Sequence, residues 1–148
     1  MPDKDTTEME KEILQIKTEE ELKSFLEENE ENFPELTLAE YLKILLETKK
    51  LSKADVIKNS CIGNYAYKIF SGERQNNSRT KILSLAVAMK LSLKEIQRLL
   101  YYANAPKLYS KNIWDDVIIF SLNKGYDIDT VNKLLTDSSL KPLLGDVD

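Results

Sequence analysis

Apolar residues recur along this chain at spacings of three and four, the period of one helical face, and strand-like alternation is almost absent. Ahead of residue 18 the pattern is thin: Ile13, Leu14 and Ile16 suggest a turn or two, and the first eight or so residues read as a tail. From Thr18, which with Glu21 makes a capping box, Leu22, Phe25 and Leu26 form a narrow stripe that ends before Phe33-Pro34. Thr37 opens the next helix, with Leu38, Tyr41, Leu42, Leu45 and Leu46 on one face, and this runs to about Lys49. A short helix follows Ser52, carries Val56 and Ile57 inward and breaks at Ser60-Cys61-Ile62-Gly63. Another begins near Asn64 and is closed by Gly72, where a left-handed residue is wanted. After a polar loop, Ser78 is expected to cap a helix with Ile82, Leu83, Leu85, Ala86 and Met89 inside. Ser92 and Glu95 form a further capping box, ahead of Leu93, Ile96, Leu99 and Leu100. Beyond Pro106, two helices, from about Ser110 to Lys124 and from Asp127 to about Thr136, predict a hairpin on which Leu140, Pro142, Leu143 and Leu144 can pack back.

These elements predict an all-α fold in three parts: an acidic tail and helix over 1–36, a five-helix bundle over 37–103 and a helical extension over 104–148. With 148 residues the chain is long enough to bury a core without disulfide or metal staples. A single cysteine, Cys61, and no histidine exclude disulfide frameworks, zinc fingers and histidine-dependent triads. Cys61 reads as a small hydrophobe in a turn. Without histidine, with a lone cysteine and without a Gly-rich phosphate loop, no constellation of acid, base and nucleophile is visible, and neither an enzyme nor a cofactor nor a metal is expected. Apolar runs such as Val117-Ile118-Ile119-Phe120 fall far short of the roughly 20 residues of a membrane span, and the start is acidic, which points to a cytoplasmic protein.

A net charge of -4 argues against a polyanionic partner until it is divided along the chain. Residues 1–36 carry about 13 acids and 4 bases, residues 37–100 about 5 and 12, and residues 101–148 about 7 and 5. A basic centre thus lies between acidic ends. Two short helices joined by a tight turn, the second ending at glycine ahead of a polar loop, fit the layout of a DNA-reading helix-turn-helix.

The stretch Leu51-Ser52-Lys53 through Ser60, then Ile69-Phe70-Ser71-Gly72, then Ser78-Arg79 through Leu91-Ser92-Leu93, resembles the Xre-type regulators related to Cro and lambda repressor. Tyr65 through Gly72, Ser78-Arg79 and Leu108-Tyr109 resemble in particular a bacterial subgroup with a helical extension after the DNA-binding unit. The resemblance implies a lambda-repressor-like five-helix bundle that binds double-stranded DNA, with 64–71 as the recognition helix in the major groove. Asn64, Tyr65 and Lys68 are then the candidates for base contact. Ser52, Lys53, Ser78 and Arg79 stand at helix starts suited to phosphate, Arg74, Gln75 and Asn76 in the loop along the backbone, and Lys81 beside them. Tyr67 reads as core, Tyr65 as either core or contact, and Ser52 and Ser78 as caps in any case. Trp114 reads first as core and second as an interface residue.

Cys61 stands where such turns have glycine, Ile57 where they have alanine and Asn77 where they have proline. Two functions therefore follow. One is a transcriptional regulator acting as a homodimer, associated through the extension or the acidic helix. The other is an adaptor that keeps the fold, has lost DNA and binds a protein through those same surfaces, its acidic arm mimicking a phosphate backbone.

Overall fold

The computed structural model describes residues 6–28, 36–73 and 78–143, and side chains in the first of these segments over 7–24. The expected stripe at Phe25 and Leu26, the stop at Phe33-Pro34, Asn77 and Leu144 lie outside the described residues or side chains. Among the described residues every regular element is a helix. The chain falls into two compact units, Met1–Glu35 and Leu36–Asp148.

The first unit holds α1 (Thr6–Leu14) and α2 (Glu19–Glu28). Helix α1 begins where the sequence suggested a tail; its weak apolar pattern leaves Leu14 84% exposed, which is why periodicity did not reveal it. Thr18 starts α2 as expected: its Oγ1 accepts the Glu21 N–H at 3.1 Å, and the Glu21 carboxylate accepts the Lys17 N–H at 3.2 Å.

The second unit contains α3 (Leu38–Thr48), α4 (Lys53–Ser60), α5 (Asn64–Ser71), α6 (Arg79–Met89), α7 (Leu93–Tyr102), α8 (Ile113–Lys124) and α9 (Ile128–Asp137). Local chemistry sets most ends. Thr37 with Glu40 and Ser92 with Glu95 close full capping boxes, Ser52, Asn112 and Asp127 cap with their side chains, and Gly72 and Gly125 end helices in the left-handed region. Ser78 departs from expectation: its hydroxyl pairs with Thr80 Oγ1 at 2.8 Å and makes no cap bond.

Helix α6 is the spine. Residues 81–87 and Met89 are buried, as a helix that is covered all round must be, because α4, α7 and α9 pack about it. Helix α3 packs on α5 and α7, with the Tyr41 and Tyr102 rings 5.0 Å apart at one end and Lys49 bonded to Glu95 at 3.0 Å at the other. Burial pushes the Glu95 carboxyl up, but hydrogen bonds from Ser92 and the Lys49 ammonium outweigh it and hold the group below the ordinary glutamate range. Leu42, Ile96, Leu99 and Leu100 are fully buried, each worth about 1.5–3 kcal/mol of apolar transfer. Leu93, expected inside, is 44% exposed, because the inner face of α7 begins at Ile96.

Helices α8 and α9 form the expected hairpin, and α9 rests on α6. Two amides fasten its flanks by imitating backbone pairing. Gln97 bonds both the N–H and the carbonyl of Leu108, at 2.8 and 2.9 Å, and Asn132 does the same to Leu143, at 2.6 and 3.1 Å. Leu143 is buried and Pro142 exposed. Trp114 is half-buried against the core, and its indole N–H donates to the Lys141 carbonyl at 2.7 Å. Among the described residues no helix is long and apolar enough to cross a membrane.

Candidate nucleic-acid interface

Helices α4 and α5 have eight residues each and are joined by Cys61, Ile62 and Gly63. Val56 and Ile57 anchor α4, Ile62 is fully buried in the turn, and Ser60 donates its hydroxyl to the Ile57 carbonyl at 2.7 Å. Cys61 sits in the left-handed region at φ 62, and Gly63 at φ 58, ψ -137, a combination suited to glycine. An L side chain in the left-handed region costs roughly 1–2 kcal/mol, and the exposed thiol returns a weak hydrogen bond, donated to the Asn59 carbonyl at 3.7 Å. Cys61→Gly is therefore expected to raise stability by about 0.5–1 kcal/mol after the extra chain entropy of glycine. Thermal melting would read this as a gain of a few degrees. A lowered midpoint would mean that the thiol packs in a way the geometry does not suggest.

Helix α5 divides cleanly into two faces. Ala66 and Ile69 are fully buried and Tyr65 and Phe70 half-buried, while Asn64, Tyr67, Lys68 and Ser71 are exposed at spacings of three, four and seven, one continuous ridge. No side chain caps its N-terminus.

Among the residues proposed for base contact, Asn64 and Lys68 stand on this ridge and Tyr65 does not. The Tyr65 hydroxyl accepts the Ser78 N–H at 3.3 Å, and the Lys81 ammonium lies 4.0 Å from its ring centre, so the side chain is turned toward α6. Tyr67, expected in the core, is 52% exposed and takes the outward place. Its position could have been read from Ala66 and Ile69: once small Ala66 is recognised as a seat, the residue after it must face out.

The phosphate candidates fare differently. Ser52 is exposed, with its oxygen engaged as a cap by the Asp55 N–H at 3.4 Å. Lys53 is exposed, its ammonium 5.5 Å from the Phe70 ring centre. Ser78 gives its N–H to Tyr65. Lys81 is a correction: it is 2% exposed, drawn under the Tyr65 ring where no backbone phosphate can reach it. Arg79 is a second correction. Its guanidinium meets Asp115 through Nη1 at 3.1 Å and Nη2 at 2.9 Å and donates to the carbonyls of Pro106 and Lys107, with the Trp114 ring 6.0 Å away. Its charge is spent on holding the extension to α6, and only part of the side chain faces solvent. Arg74, Gln75 and Asn76 lie outside the described residues.

What remains at this surface is a ridge carrying an amide, a phenol, an ammonium and a hydroxyl, with exposed Lys50, Lys53 and Lys58 on the preceding segment against exposed Asp55 and Glu73. Amide and ammonium groups are the types that bond adenine and guanine edges, and lysines suit phosphate. Among the described residues no cluster of acidic or cysteine side chains is arranged to hold a metal ion. No family model, characterised protein or solved structure significantly matches the chain.

Proposed function

We propose that this chain is a DNA-binding transcriptional regulator of the Xre type, with a lambda-repressor-like bundle formed by α3 to α7. It docks α5 in the major groove of duplex DNA and acts in the cytoplasm as a homodimer on two-fold sites. The reading gives it no catalytic role. The observation that supports it is the ridge of Asn64, Tyr67, Lys68 and Ser71 on a short helix whose other face is seated in the core, directly after a tight turn. A surface of this shape and chemistry is what base-edge contact requires.

The test is a binding titration on duplexes selected from a random pool, at about 50 and 200 mM salt, where displaced counterions should make affinity fall. Lys68→Ala is expected to cost about 1–3 kcal/mol of affinity for the selected site, with unchanged melting because the side chain is exposed. Lys133→Ala, the same charge change on α9, should leave binding as it was. Affinity indifferent to salt, or equal losses from both variants, would refute the reading.

An adaptor on the same fold is the second reading, favoured by one observation: Arg79 and Lys81, two cations placed to hold phosphate, are consumed by internal contacts. Absence of duplex binding at low salt in a folded protein would select it.

A further inference from the structure

Helix α8 turns Asp115, Ile118, Ser121 and Leu122 inward. Its outer face carries Ile113, 72% exposed, half-buried Val117, Phe120, 48% exposed, and exposed Lys124. These four follow one another at steps of four, three and four, the spacing of a coiled-coil seam. Asp116 is exposed beside that seam near its start. Within the chain, Phe120 meets the Tyr126 ring at 6.0 Å and the Lys124 ammonium at 5.7 Å, and still leaves about half its surface in water. Ile113 is among the most exposed large apolar side chains described, on a rigid helix capped at both ends.

We propose that this face is where the protein self-associates: α8 packs antiparallel on α8 of a second copy, about a two-fold axis between Val117 and Phe120. The inference rests on the homodimeric half of the function proposed above and is independent of its DNA-binding half. Charge selects both the occupant and the direction. The stripe has an acid near its start, a base at its end and apolar residues between, so it complements its own two-fold image. Val117 then meets the partner's Phe120, and Ile113 lies along the stem of the partner's Lys124. The ammonium of that lysine comes over the gap bounded by Ile113, Asp116 and Val117, so an acid faces a base twice across the axis. A parallel pairing would set Asp116 against Asp116 and Lys124 against Lys124. Antiparallel packing also opposes the two helix dipoles. Twelve residues of helix span only about 18 Å, which places the interface at the small end of the range, among transient associations.

Sedimentation of the full chain from about 1 to 200 μM tests this directly, without DNA. The wild type should pass from monomer to dimer across that range. Phe120→Asp should stay monomeric and folded, its melting temperature lowered by no more than a few degrees, since about half of the ring already lies in water. Asp116→Lys and Lys124→Asp should each weaken association several-fold, and the two together should restore most of it, short of the contact that the Lys124 stem makes with Ile113. A wild type that stays monomeric, a Phe120→Asp variant that still pairs, or a double reversal that does not recover would overturn the proposal. A dimer that ignores duplex DNA would instead leave this interface standing and remove the regulator reading.

Discussion

Replacing Arg79 by alanine is expected to cost the larger unit about 3–5 kcal/mol, a large part of the stability of an ordinary domain. The reason lies with its partner. The Asp115 side chain is 6% exposed and its two oxygens receive the guanidinium at 3.1 and 2.9 Å, with the Tyr109 N–H at 2.8 Å as a further donor. Removing the arginine strands a buried carboxylate on one backbone N–H, and leaves the Pro106 and Lys107 carbonyls without the donor they had. The reverse change, Asp115→Ala, should cost less, because the Arg79 side chain keeps 24% of its surface in water and two carbonyl acceptors. The double variant should recover part of the Arg79→Ala loss, since no charge is then left buried and alone. Denaturant unfolding of the three variants measures this. A loss below about 1 kcal/mol for Arg79→Ala would place the pair among ordinary surface bridges, and its role as the clasp of the extension would fall.

The second large effect is expected at Ile69, where alanine should cost about 2–5 kcal/mol. Helix α5 is eight residues long, too short to be helical by itself, and half of it faces water. Its hold on the core comes from Ala66 and Ile69, both fully buried, with Tyr65 and Phe70 at the margins. Ala66 lets the helix approach closely, and Ile69 supplies the volume. Truncation there opens a cavity under the ridge, so amide protection over 64–71 should fall before that of α6, and any duplex affinity should fall with it. Uniform loss of protection across the unit, or a cost near zero, would show that α5 is held by something other than this seat.

Residues close in sequence decided most of the helix map. Thr37 with Glu40, Ser52, Ser92 with Glu95, and Asp127 start helices through bonds that span three residues, and Gly72 and Gly125 end them through a backbone angle, so the chain announces these points by itself. The inward stripes of α3, α4 and α9 were legible for the same reason: a 3.6-residue period is a local property. The start of α1 was read as tail because the helix buries too little to show that period.

The candidate site was legible only in part. Asn64 and Lys68 are outward-facing polar residues on a short helix, and their type and spacing suffice to mark them. The fates of Tyr65, Lys81 and Arg79 depend on neighbours 13 to 36 residues away in sequence. A cation at a helix start looks the same whether it awaits a phosphate or reaches Asp115 on another helix. Local bonding therefore wrote the elements into the amino-acid order, while the choice of which charges face water waited on packing: a buried ion must be met by its counter-ion, and only the assembled chain brings the two together.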